Sequence, residues 1–395
     1  MRQTLVTGGS GFIGQHLVAL LARDRRVRIL DLRPPVCGRP AGTQYVNGSV
    51  LDPTVVYDAL EDIDEVFHLA GLPGMWMPRK DDFHAVNCRG TEIVIDAARK
   101  RGVARFLHCS TESILFGPSS PGAVVTERAN PSLDDMPGAY TRSKMRAEQA
   151  AVAAACSGFP VVIANPTMPI GPHHGNLTPP ALMLQHFARR RMQVYLEFVL
   201  NLVDVRDVAM GLRLAMERGQ VGQRYILGGE HISLRRLLDI VGTIRGRKGV
   251  HVPVPAGFAH MTAAMMEFLA DHVTRRAPAA TVEGIRIAVR SKALSSEKSR
   301  NELGYTPRPI EPTLREAIEA VPSGSQWSFA GWRGAPIVRP VRPVQEASGS
   351  SWVVRAPYSS SSGLSGFAAG WRHRSGPAAR RSGSARSTPG PTAPP

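Results

Sequence analysis

The octapeptide Thr7-Gly8-Gly9-Ser10-Gly11-Phe12-Ile13-Gly14 lies between a β-branched run, Thr4–Thr7, and a helical pattern that begins at Ile13. It satisfies GxGxxG from Gly9 and GxxGxxG from Gly8. Glycines permit a tight turn and a close backbone approach, and the helix start behind them offers unpaired N–H groups and a partial positive charge. A pyrophosphate is the ligand that such a turn suits. A glycine-rich turn alone carries little weight, but here a strand precedes it and a helix follows. Asp31 then ends the next β-branched run, seventeen residues after Gly14. An acid there accepts hydrogen bonds from an adenosine ribose and repels a 2′-phosphate, so NAD is expected, with NADP left possible. Arg33 offsets that repulsion or is a solvated loop charge.

The rhythm continues as strands at Val27–Asp31, Glu65–Leu69, Phe106–Cys109 and Val161–Ala164, with helices clearest at Ile13–Arg23, Asn87–Arg101 and Tyr140–Ala155. Alternation of this kind predicts an α/β fold, a doubly wound parallel sheet of the Rossmann type covered on both faces. Beyond Asn165 the pattern changes to Pro/Gly-rich loops and helices at Leu182–Arg191, Leu234–Ile244 and Phe258–His272, read as a smaller, interleaved substrate lobe. The expected division is 1–164 for the dinucleotide-binding domain, 165–321 for the lobe and 322–395 for a disordered tail rich in Arg, Ser, Gly and Pro.

Net charge is +16, and from Ser323 onward there are nine Arg, no Lys and one acid, so eight of the sixteen excess charges belong to the tail. Nucleic-acid binding by this tail is conceivable through phosphate neutralisation, yet a passive tail is the expectation, despite four of the five tryptophans falling in it. Four separated cysteines without a CxxC pair suggest no metal site and no disulfide framework, which fits a reducing, cytoplasmic setting. No apolar run approaches the roughly 18 residues of a spanning helix, and the N-terminus runs straight into the first strand, so neither a membrane span nor a signal peptide is expected.

Tyr140 and Lys144 stand four residues apart on one helix, which stacks them on one face. A lysine ammonium beside an oxidised nicotinamide favours a phenolate, which suits hydride chemistry at an alcohol. The strand from Phe106 closes on Cys109-Ser110-Thr111-Glu112-Ser113, at the carboxyl end of the sheet where ligands of such folds bind. Thr111 is the chosen hydroxyl for holding the substrate oxygen, with Ser110 and Ser113 behind it.

TGGSGFIG, VFHLAG (Val66–Gly71), VNCRGT (Val86–Thr91), the STES segment and YTRSK together resemble the extended short-chain dehydrogenase/reductases of the NAD-dependent epimerase/dehydratase group. NPTMPIGP (Asn165–Pro172), NLVDVRDVA (Asn201–Ala209), RYILGGEHISL (Arg224–Leu234) and SSEKSRNELGYTPRP (Ser295–Pro309) extend the resemblance, most of all to hopanoid-associated sugar epimerases. Dihydroflavonol-reductase-like and 3β-hydroxysteroid-dehydrogenase-like members are near relatives. The resemblance implies a cofactor site at Gly8, Gly11, Phe12, Ile13, Gly14, Asp31, Leu69, Ala70 and Gly71. It also implies a catalytic triad of Thr111, Tyr140 and Lys144, the last two also contacting cofactor, a bracing role for Asn87, and a homodimer. Two departures stand out: Thr111 to Gly117 is one residue longer than in many sugar-nucleotide epimerases, and Gly48-Ser49-Val50 replaces an acid that often meets the adenine.

The expected reaction is hydride transfer at a secondary alcohol of a small-molecule substrate, a sugar or sugar nucleotide. A sterol-, terpenoid- or flavonol-like substrate is the alternative, and a non-catalytic NAD(P)-binding module is the alternative of another class. Arg189, Arg190, Arg191, Arg235 and Arg236 are candidates for a substrate pyrophosphate or simply solvated helix charges. The Met-rich stretch His260–Leu269 is read either as the wall of a sterol-sized pocket or, preferably, as core packing.

Overall fold

The computed structural model describes residues 1–36, 38, 40–117, 123–172, 178–190, 192–247 and 249–320. The tail that the composition marks as disordered, 322–395, lies outside the described residues. The first half alternates strand and helix: β1 (Gln3–Thr7), α1 (Phe12–Leu21), β2 (Arg26–Asp31), β3 (Thr43–Asn47), α2 (Pro53–Ala59) and β4 (Glu65–His68). One turn of helix, α3 (Asp81–Phe83), passes through a π-helical stretch, His84–Arg89, into α4 (Gly90–Lys100). After it come β5 (Arg105–Cys109), α5 (Ala139–Cys156) and β6 (Val161–Pro166).

The second half contains β7 (Met168–Ile170), α6 (Pro179–Arg189), β8 (Met192–Tyr195), β9 (Val199–Asp204), α7 (Val205–Arg218), β10 (Arg224–Leu227), β11 (Glu230–Ser233) and α8 (Leu234–Ile244). It ends with β12 (Val250–Pro253), α9 (Ala256–Leu269), α10 (Val282–Arg290) and α11 (Ile310–Glu319).

Seven strands form a parallel sheet in the order β10-β6-β5-β4-β1-β2-β3. Val6, Ile29, Phe67, Leu107 and Val162 stand opposite one another across five of them. That row packs on Leu17 and Val18 of α1 and Val208 and Leu212 of α7 in one continuous apolar layer. The near-continuous burial of these strands is what a sheet covered by helices requires. The chain builds outward from β1 to β3, then crosses back to lay β4 on the other side of β1. The order therefore reverses between β1 and β4, and the carboxyl ends of those two strands open the crevice where such sheets take ligands.

Two strands of the seven-stranded sheet are additions to the pattern read from the sequence. β3 is short and half-exposed, and β10 joins the far edge of the sheet from the second half of the chain. The Asn201–Val208 segment forms strand and helix start as expected, but β9 pairs with β7 and β11 in a separate three-stranded sheet, while α7 returns to cover the main one. A second apolar cluster, from Leu184 and Leu200 to Leu237 and Leu314, lies between α6, α8, α11 and β9.

The Met-rich helix α9 departs from both readings of it. Phe258, Met261, Met265 and Phe268 are 52, 63, 60 and 60% exposed, while the buried residues are the small ones, Ala263 and Ala270. The helix sets Ala263, Glu267, Ala270 and Asp271 against the rest of the fold. These four side chains therefore face away from the core, while Met266 is half-buried.

Candidate functional site

The glycine turn is held by backbone constraints at two positions. Gly8 has φ +71°, and a Cβ on it would lie 2.7 Å from the Ala70 nitrogen; on Gly14 a Cβ would lie 2.7 Å from Gly9 Cα. These contacts pull the turn onto the end of β4 and seat α1 on the turn. Leu69 N–H donates to the Thr7 carbonyl at 3.0 Å and Ala70 N–H to Thr7 Oγ1 at 3.3 Å, so Leu69, Ala70 and Gly71 border the turn. Asp31 is brought to the same place, its Oδ2 accepting the Ser10 N–H at 3.0 Å and its Oδ1 the Arg33 N–H at 3.2 Å. Burial raises the Asp31 carboxyl above its ordinary value, against these hydrogen bonds.

The turn suits an anion. The residue capping α1 is Gly11, no side chain bonds its free N–H groups, and its first turn has no acid. The Phe12 side chain is buried and Ile13 packs against the core, which leaves their backbone N–H groups as what they offer a ligand. A pyrophosphate therefore fits these residues.

The second group of residues gathers at the end of β5. Thr111 Oγ1 donates to Glu112 Oε2 at 3.1 Å and lies 3.0 Å from Ser113 Oγ. The Thr111 side chain lies beside the phenol of Tyr140, whose ring is 8% exposed. Burial holds that phenol well above its ordinary pKa; the neighbouring Thr111 side chain lowers it, and the nearby Glu112 and Glu283 charges raise it further. Lys144 Nζ donates to the Cys109 carbonyl at 2.8 Å, and burial lowers its pKa. The structure thus brings Thr111, Tyr140 and Lys144 to one strand end, with the Thr111 side chain beside the phenol. Of the other two hydroxyls, Ser113 supports Thr111, and the buried Ser110 Oγ has no hydrogen-bond partner among the described residues.

A chain of hydrogen bonds joins the two groups. Thr7 Oγ1 meets His68 Nδ1 at 2.7 Å, His68 Nε2 meets Thr91 Oγ1 at 2.9 Å, and Thr91 donates to the Asn87 carbonyl at 2.6 Å. Asn87 Nδ2 then donates to Ser143 Oγ at 2.9 Å, and Ser143 to the Tyr140 carbonyl at 2.7 Å. Asn87 Oδ1 also accepts the Leu72 N–H at 2.7 Å, beyond Gly71, where an added Cβ would come within 3.0 Å of that oxygen. Asn87 braces the loop after β4 against α5. His68 is wholly buried, and desolvation, with the Lys144 charge adding, pushes it down to about 3, so it serves as a neutral relay.

Two residues near the site were not singled out from the sequence. Glu112, beside Thr111, is pushed up to about 7 by burial. Glu283, on α10, accepts the N–H groups of Tyr140 at 3.1 Å and Thr141 at 2.7 Å. Glu112 was open to detection as a lone acid in a strand-end segment, whereas Glu283 carries no local signal. Among the candidate cations, Arg235 and Arg236 are exposed on α8, and Arg191 lies outside the described residues.

Residues 4–228 match the model of the NAD dependent epimerase/dehydratase family. The chain belongs to that family. Members similar to it include a putative dihydroflavonol 4-reductase of Synechocystis sp., 32% identical over 79% of this chain and 92% of the relative. Another is the sterol demethylase protein B of Methylococcus capsulatus, 28% identical over 80% of this chain and 97% of the relative. Among solved structures, that of gox2253 is 33% identical with a TM-score of 0.70, covering 81% of this chain and 97% of the other. As a member of this NAD-dependent family the protein is an enzyme, an oxidoreductase with the parallel sheet and glycine turn described above. No described helix is long and apolar enough to cross a membrane.

Proposed function

We propose that the protein interconverts a secondary alcohol and a ketone on an apolar, sterol- or flavonoid-like skeleton, with Thr111, Tyr140 and Lys144 as its catalytic residues. The observation that carries this reading is the gathering of Thr111, Tyr140 and Lys144 at the carboxyl end of β5, with the Thr111 side chain beside the phenol and Lys144 Nζ on the Cys109 carbonyl. Two hydroxyls gathered there can both address one substrate oxygen. Bound NAD would lie with its pyrophosphate on Gly8, Gly11 and the first N–H groups of α1 and its ribose on Asp31, and would supply the hydride chemistry. Tyr140 Oη holds the proton that the substrate oxygen gains or gives up. Thr111 Oγ1 donates to the same oxygen and fixes its place. Lys144 holds a positive charge beside the strand end, which favours the ionised phenol whenever that proton leaves. The Asp31 carboxylate favours NAD over NADP.

The apolar substrate class is supported by the surroundings of Tyr140 and by the names of the similar proteins. Phe83 packs edge-on against the Tyr140 ring, with centroids 6.0 Å apart, and Leu72, Trp76 and Met77 are buried in the loop that follows β4. The test is a panel of oxidations and reductions with NAD(H) and NADP(H), comparing hydroxysterols and flavonoid ketones with UDP-sugars. Turnover of the apolar compounds, with UDP-sugars inert, is the expected result. Epimerisation of a UDP-sugar would overturn the substrate class, and failure of every cofactor to bind would overturn the enzyme reading of this site.

A further inference from the structure

We infer that the exposed face of α9 is a docking surface for an anionic lipid bilayer. Phe258, Met261, Met265, Phe268, Leu269 and Val273 follow the three- and four-residue spacing of one helical stripe, and each is at least 43% exposed. A patch of large side chains on one face marks an interaction surface, whereas isolated exposed apolar residues do not.

Charge decides which partner the stripe suits. The helix has an acid at Glu267, and Asp271 follows in its π-helical extension, both turned toward the body of the fold. Lys80 Nζ bonds Glu267 at 3.0 Å and Asp271 at 3.4 Å, the Trp76 indole N–H donates to Asp271 at 2.6 Å, and the Val282 N–H donates to Glu267 at 2.9 Å. Their charge is used inward. Beyond the stripe the helix runs out through exposed His272 to exposed Arg275 and Arg276. The outward side thus combines aromatic and methionine side chains with cations, the composition that lies in a headgroup layer with its apolar side chains in the acyl boundary. The stripe itself carries no outward acid that a second copy could set against Arg275 and Arg276, because Glu267 and Asp271 are paired inward, whereas acidic headgroups supply that charge. The two-stranded β8–β12 ribbon that leads into α9 also exposes Met192, Val194, Val250 and Val252.

The inference does not depend on the substrate, because docking is read without turnover. Full-length protein is floated with vesicles of phosphatidylcholine alone and of phosphatidylcholine with phosphatidylglycerol, at low and high salt. Expected is flotation with the anionic vesicles, weakened by salt. The double substitution M265E/F268E should lower the partition by roughly tenfold or more, since each lost apolar insertion is worth about that factor. R275E/R276E should weaken it on anionic vesicles. The tail is present in every variant, so its arginines contribute equally, and an unchanged melting temperature checks that the exposed substitutions leave the fold intact. Equal flotation of M265E/F268E and the parent, or none by the parent, would overturn the proposal. So would a concentration-dependent dimer that dissociates in M265E/F268E without any vesicle binding.

Discussion

The Glu283 carboxylate accepts the backbone N–H of Thr141 at 2.7 Å, so a side chain from α10 caps the helix that carries Tyr140 and Lys144. It also takes the Tyr140 N–H at 3.1 Å and the Thr141 hydroxyl at 2.7 Å. The space is made by Gly138, where an added Cβ would lie 2.7 Å from Glu283 Cγ. A residue 143 positions away thus satisfies the free donors of the catalytic helix and sets where Tyr140 begins.

Glu283→Ala should therefore lower stability by about 1–2 kcal/mol, the worth of a helix cap, and lower kcat, with Glu283→Gln recovering part of both. Thermal melts and steady-state kinetics check this. An unchanged kcat in a folded Glu283→Ala protein would remove the positioning role.

Tyr140→Phe deletes the buried hydroxyl beside Thr111 while leaving the ring against Phe83. Turnover should fall by about 10²–10⁴, the usual contribution of a positioned acid or base. NAD affinity, measured by fluorescence titration, should stay close to that of the parent. A variant that turned over normally would rule out the proposed proton transfer.

Gly8→Ala places a side chain at φ +71° and into the Ala70 backbone. Loss of NAD affinity accompanied by a lower melting temperature is expected, because the turn must open away from β4. Calorimetric titration with NAD tests it, and parent-like affinity would mean that the turn is not the cofactor cradle.

Buried His68 and half-buried Glu112 give opposite pH dependences. His68, down to about 3 in the fold, binds fewer protons folded than unfolded below 6.5, so its contribution to stability is lost as pH falls from 6.5 toward 3. Glu112, up to about 7, binds more protons folded than unfolded, so its contribution falls as pH rises from 4.5 to 7 and is constant above. Melting curves of Glu112→Gln should accordingly exceed those of the parent above pH 7 and converge with them below pH 4.5. A constant offset across that range would show that Glu112 titrates normally.

Strands β1, β2, β4, β5 and β6, the glycine turn and the Tyr140–Lys144 pair were legible in the sequence because each is a local pattern. Alternation marks a buried strand, glycines mark a turn that side chains would block, and a four-residue interval marks one helix face. The sequence also placed Asp31 and Thr111 at strand ends, and a parallel sheet puts such ends on one side. What the tertiary structure decided is which distant groups meet there. β3 and β10 are short strands whose pairing comes from neighbours. Glu283 reaches the start of α5, and the path from Thr7 through His68, Thr91, Asn87 and Ser143 reaches Tyr140, only because the sheet order sets these segments side by side. For α9 the hydropathy pattern identified an apolar stripe, but periodicity carries no information about what faces it. Inward pairing of Glu267 and Asp271 with Lys80 turned that stripe to the surface, a choice made by long-range ion pairs that no local window contains.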